Sequence, residues 1–181
     1  MSDETFIRHC SPTLAGLKTA NLFLDQVSGK TELYEEIRKY NKRLVPHGIV
    51  IIPLKFTGKS ALIYVFRPDR LKKDLSDKGA EEILAKCGYK ERNINKAIRH
   101  LMKNLKSNET FPHEIGLFLS FPPCDVKGFI EEKAENYKYQ GVWKVYGNVR
   151  EAKETFRKYD ECQKTFLRRF ENGDRLENLV V

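Results

Sequence analysis

Five consecutive residues near the start of the chain, His9-Cys10-Ser11-Pro12-Thr13, place an imidazole, a thiol and two hydroxyls in one segment that continues through Leu14 and Gly16 to Lys18. An imidazole exchanges a proton near neutral pH. Hydroxyls, a lysine and the free N–H groups of a helix start together hold a carboxylate or phosphate. Ser11 and Pro12 are the residue types of an N-cap and a first helical position, so the segment predicts a helix starting there and continuing to Lys18. On that reading Ser11, Thr13 and Lys18 are ligand-binding candidates and His9 is the proton carrier. A plainer arrangement uses the same residues, with Ser11 and Pro12 capping a helix while His9 and Cys10 pack. Among the other histidines, His113 is the one that stays of interest.

Other reactive-looking residues fail on spacing. Ser28-Gly29-Lys30-Thr31 and Thr57-Gly58-Lys59-Ser60 resemble the end of a phosphate-binding P-loop, but the earlier glycine that the loop requires is Leu24 in one and Pro53 in the other. Cys124 precedes a predicted helix, where a dipole can favour the thiolate. Yet Ile130 stands where a phosphatase-like loop would carry its arginine, and no second cysteine is near. Cys87 and Cys162 read as small core residues on helices. The four histidines, His9, His47, His100 and His113, include no pair spaced to put two ligands on one helical face.

The elements that must position these groups follow from periodicity. Strands are predicted near 21–27, 49–56, 61–66, 115–121 and 142–146, the second and third as a hairpin with Pro53 marking an edge or bulge. The run 115–121 is the most continuously apolar and is expected centrally in the sheet. About six helices accompany the strands. One begins near Thr31 with Leu33, Ile37, Tyr40 and Leu44 on one face, one near Asn93 and one near Asp125. A long helix runs from Val149 to a glycine cap at Asn172-Gly173. Strand, helix and strand over 115–146 imply a parallel crossover. The fold class is therefore α+β, a mixed sheet of about five strands packed with helices, in a single domain over 1–181.

Composition bounds the function. With 40% hydrophobic and 32% charged residues, the chain is expected to fold throughout. No apolar run approaches the roughly 20 residues that cross a bilayer, and the first residues lack a secretory pattern, so a cytoplasmic protein with reduced thiols and no membrane partner is expected. The net charge is +8, but residues 1–90 carry 16 basic and 11 acidic side chains and residues 91–181 carry 17 and 14, so neither half is a basic module. Nucleic acid is the less favoured partner on that count.

One resemblance spans nearly the whole chain. The segment His9-Cys-Ser-Pro-Thr-Leu-Ala-Gly-Leu-Lys18 with Asn21-Leu-Phe23, then His113-Glu-Ile-Gly-Leu-Phe-Leu119 with Pro122-Pro123 and Asp125-Val-Lys-Gly-Phe-Ile130, then Trp143-Lys-Val-Tyr-Gly147, resembles a bacterial domain-of-unknown-function family found largely in anaerobes. The resemblance implies a shared fold and no reaction. It singles out His9-Cys10 and His113-Glu114 as polar pairs that mark the family; brought together, His9, Cys10, His113 and Glu114 would form an acid–base pair or a metal site, chemistry that needs its groups within a few ångströms. It also implies an acidic residue at the place of Cys124 in many members.

Three functions are carried forward. The leading one is a small-ligand-binding or enzyme-like domain whose polar site is the His9–Lys18 segment, with a small anionic ligand and with His113 and Glu114 as partners. The second is a basic nucleic-acid or protein-interaction module using Arg38, Lys39, Lys42, Arg43, Lys96, Arg99, Lys103 and Lys106, which would show steep salt dependence. The third is metal binding in an iron- or redox-related role through His9, Cys10, His113 and Glu114. The sequence names no cofactor, reaction or oligomeric state.

Overall fold

A computed structural model describes residues 1–90, 93–107 and 111–181. Its chain divides into two compact units, one of residues 1–68 with 159–181 and one of residues 69–158.

The first unit is built on an antiparallel sheet. The strands β1 (Ala20–Gln26), β2 (Val50–Phe56) and β3 (Ser60–Phe66) lie in the order β1-β3-β2. Central β3 is apolar nearly throughout, Ala-Leu-Ile-Tyr-Val-Phe, and five of its seven residues are buried. The β2–β3 connection is the expected hairpin, with Gly58 at a φ of 87°. Pro53 lies on edge strand β2, where the register slips between Pro53 and Lys55, so the proline that cannot donate to a ladder sits beside a bulge.

Two helices cover one face of that sheet, α1 (Asp3–Leu14) and α2 (Lys30–Leu44). Helix α2 points Leu33, Ile37, Tyr40 and Leu44 inward at the expected spacing. The core joins Phe6, Ile7, Cys10 and Leu14 of α1 to Phe23, Ile51, Ile63 and Val65 of the sheet, and Cys162, Phe166, Leu176 and Leu179 close it. Arg43 ties the helices together, donating to both Asp3 carboxylate oxygens at 2.9 and 2.7 Å and pairing with Glu177.

The second unit is mainly helical: α3 (Pro68–Leu75), α4 (Lys78–Lys86), α5 (Ile94–Ser107), α6 (Ile115–Phe118) and α7 (Pro123–Glu131), then a two-stranded antiparallel hairpin of β4 (Tyr139–Gln140) and β5 (Lys144–Val145). The long helix α8 (Val149–Glu171) gives Ala152 and Phe156 to this unit, and Cys162 and Phe166 to the first.

The α+β class holds, but the five-stranded mixed sheet does not. The run 115–121 is not a central strand: it forms the single turn of α6 and leaves it through Ser120, at a φ of 57°. Of 142–146, only Lys144 and Val145 pair, and they pair with β4 in a separate hairpin. Every strand pairing is antiparallel, so the parallel crossover is absent among the described residues. The described residues form eight α-helices where about six were expected. None of them is long and apolar enough to cross a membrane.

Candidate functional site

The His9–Lys18 segment is the end of a helix, where its composition had predicted a start. Ser2 is the N-cap of α1, accepting from the Thr5 N–H at 3.1 Å, and Ser11, Pro12 and Thr13 lie in the last turn. The helix does not continue to Lys18: it stops at Leu14, and Gly16 takes a φ of 66° as the N–H groups of Leu17 and Lys18 turn back to the Pro12 carbonyl. The free N–H groups of a helix start are therefore at Asp3.

The groups of this segment are engaged within the first unit. The Ser11 hydroxyl donates to the Ile7 carbonyl, and Thr13 Oγ1 donates to Asn21 Oδ1 at 2.6 Å. Pro12 has no N–H for the Arg8 carbonyl four residues earlier, and the Gln163 side-chain amide donates to that carbonyl instead. Arg67 donates to the Thr13 and Leu14 carbonyls, each at 2.8 Å, placing a cation at the negative end of α1. His9 is exposed and stacks flat on Phe23, ring centroids 4.8 Å apart. Cys10 is wholly buried, and burial pushes its thiol far above the ordinary range. Lys18 is only 5% exposed, and burial pulls its ammonium down to about 8, with Cys10 acting the other way.

His113 and Glu114 separate in role within the second unit. Glu114 is buried, and its Oε1 accepts from the Tyr89 hydroxyl at 3.0 Å and Asn104 Nδ2 at 3.1 Å. Burial, with Glu114 adding to it, raises the Tyr89 phenol well above its usual value. His113 is exposed and sets its ring against Phe129, centroids 5.0 Å apart. Among the described residues no three His, Cys, Asp or Glu side chains gather as a metal ion would require.

His113 instead borders a cavity of about 350 Å³ whose walls include Phe121, Val126, Phe129, Trp143 and Lys144, with Phe111 and Val142 exposed at its edge. The cavity is assembled by Asp125. This carboxylate is 3% exposed, and Oδ2 accepts from the Trp143 indole N–H at 2.7 Å. Its Oδ1 accepts from the backbone N–H groups of Tyr146 and Gly147 at 2.8 and 2.7 Å. Pro123, in the first turn of α7, fixes the helix start that presents Asp125 to the β4–β5 hairpin.

Close packing holds the walls. Phe121 stacks on Trp143 at 4.8 Å, and Phe156 meets the indole edge-to-face at 4.5 Å. A Cβ on Gly128 would lie 2.4 Å from the Tyr146 ring, and one on Gly141 2.3 Å from the Phe156 ring, so these contacts require glycine. Lys144 donates to the Ala134 carbonyl at 2.8 Å and lies over the Tyr137 ring at 4.5 Å. Cys124, beside Asp125, is a free cysteine whose thiol is raised by burial first and by Asp125 second, which opposes a thiolate nucleophile.

Of the sequence candidates, His113 alone lines this cavity. Asp125, Phe129, Trp143 and Lys144 carried a family signature but no assigned role, and Phe121 was read only as the end of the apolar run 115–121. The signal that would have found them is the recurrence of aromatic residues beside an acid, 121–129, and beside a base, 143–144.

Residues 6–180 match the model of a family described as Protein of unknown function (DUF3793). Comparisons with curated proteins and with solved structures find no match. The family match runs through both compact units, and the chain belongs to the DUF3793 family of proteins of unknown function.

Proposed function

We propose that this protein binds a small planar aromatic ligand with an anionic group, in the cavity of the second unit bordered by His113, Phe121, Phe129, Trp143 and Lys144. The observation that carries the reading is the convergence of four aromatic side chains and one ammonium on a cavity of about 350 Å³. Ligand sites are concave, mostly apolar and finished by a few placed polar groups, with volumes from about 300 Å³ upward. The aromatic faces accept a flat ring. Lys144 spends one of its three N–H donors on the Ala134 carbonyl, leaving two for a carboxylate or phosphate. His113, with no hydrogen-bond partner on either ring nitrogen among the described residues, adds a donor at the edge. Asp125 is a framework residue, since its oxygens are taken by the hairpin.

This keeps the small-anion reading and moves it from the His9–Lys18 segment, whose hydroxyls donate inside the protein, to the cavity that His113 shares. The four free cysteines support a reducing, cytoplasmic setting. Trp143 is the single tryptophan of the chain, so its fluorescence reports on the cavity wall alone. Titration with 1-naphthoate should change that emission saturably. The neutral 1-naphthamide should bind several-fold more weakly, and cyclohexanecarboxylate more weakly still. No saturable change with 1-naphthoate, or equal affinity for all three, rejects the reading.

A further inference from the structure

A different surface of the second unit is strongly cationic. Helix α5, Ile-Asn-Lys-Ala-Ile-Arg-His-Leu-Met-Lys-Asn-Leu-Lys-Ser, contains four lysine or arginine residues and no acid. At about 100° per residue, Lys96, Arg99, His100, Lys103 and Lys106 fall within an arc of about 120°. The opposite arc is buried through Ala97, Ile98, Leu101 and Leu105. Lys96, Arg99, Lys103 and Lys106 are all exposed. They line two shallow depressions that share Arg99 and Lys103, and Lys90 joins the first of these. The acids nearest in sequence, Glu91 and Glu109, lie outside the described residues.

We infer that this face of α5 binds the phosphate backbone of a duplex nucleic acid. The run from Lys96 to Lys106 extends about 15 Å at 1.5 Å per residue, long enough to follow two or three phosphates of one strand. Single-strand binders add aromatic platforms on which bases stack, and no exposed aromatic ring lies among the residues of this face. Tyr89, beside it, is buried with its hydroxyl on Glu114. The face is thus cationic, straight and without a device for reading bases, which fits sequence-independent contact with a duplex. Arg43 of α2, grouped with these residues on sequence alone, is held by Asp3 and Glu177, and the inference concerns α5 alone.

The test is fluorescence anisotropy with 20-base-pair DNA and RNA duplexes between 50 and 300 mM salt, using the whole protein. Contact with three phosphates gives a slope of log Kobs against log salt of about −2.7. The variant K96Q/R99Q/K103Q/K106Q keeps residues of good helix propensity and should lose at least tenfold in affinity at 50 mM salt, with a much shallower slope. The variant K30Q/K59Q/K158Q/K164Q removes the same formal charge from exposed positions elsewhere and should lose less than threefold. Retention of Trp143 emission in both variants confirms that they are folded. Binding to both duplexes makes shape secondary to charge, and preference for one identifies the source; either supports the inference. No binding at 50 mM salt, equal losses in the two variants, or binding only to anionic vesicles or a poly-glutamate peptide overturns it.

Discussion

Asp125 shows how one side chain can set a local structure. Three N–H groups from the β4–β5 hairpin and the turn after it converge on its two oxygens, all in a buried setting. Replacing it with asparagine turns an amide N–H toward one of those donors, and a buried donor without a partner costs about 1–3 kcal/mol. We expect D125N to lower the free energy of unfolding in urea by about 2 kcal/mol, with D125A lower still; unchanged stability would remove Asp125 from this framework role. Lys18 makes a pH-dependent contribution. Its folded-state pKa of about 8 lies below the ordinary 10.5, so the unfolded chain holds this proton more tightly. Its penalty is full below pH 8 and is relieved as pH rises from 8 to 10.5, by about 3 kcal/mol in all. The stability of the native protein minus that of K18M should therefore rise with pH across that window, and a flat or falling difference would contradict the burial of a charged amine. Neither role was legible from residue types alone. Asp125 stood out only as part of a family signature, because its partners lie 18–22 residues away in sequence and two of them are backbone groups.

At the scale of elements, the amphipathic patterns were legible and the short apolar runs were not. Helix α2 and the β2–β3 hairpin appear near their expected places because Leu33, Ile37, Tyr40 and Leu44, or Thr57-Gly58, state the period and the turn directly. The run 115–121 has seven residues and no polar phase, and periodicity cannot separate a buried strand from a buried helical turn at that length. Gly116 biases against a regular strand, and a Cβ there would meet Val126 at 2.8 Å, so the segment packs as a tight turn against α7. The Ser11-Pro12 pair misled in a different way: its types fit an N-cap, but the helix had already begun at Asp3. Proline is tolerated in that last turn because Gln163 supplies the donor that Pro12 lacks. Q163A should thus cost about 0.5–1 kcal/mol in the native background and less in P12A, where the backbone regains an N–H that donates to the Arg8 carbonyl itself. Equal costs would show that the amide does not serve the proline. G128A should destabilise by about 1–3 kcal/mol through overpacking against Tyr146, measured by thermal unfolding, and a neutral effect would mean that the ring moves freely.

The whole molecule distributes its features between two compact units. The first is a three-stranded sheet with helices on one face, and its most reactive-looking segment is absorbed into helix termination and core. The second holds the aromatic cavity and the acid-free face of α5, two features the sequence scattered over 96–144. The proposed ligand site lies in the second unit, around Trp143, and not at His9–Lys18. One titration separates these directly: ¹⁵N-resolved NMR of the protein with increasing 1-naphthoate, in which a single tryptophan gives a single indole N–H signal. A site at Trp143 gives saturable shifts of that indole signal and of the amides of Gly116, Val126 and Lys144, with the amides of His9 to Lys18 unmoved. An unmoved indole signal, or saturable shifts centred on His9 to Lys18, would contradict it.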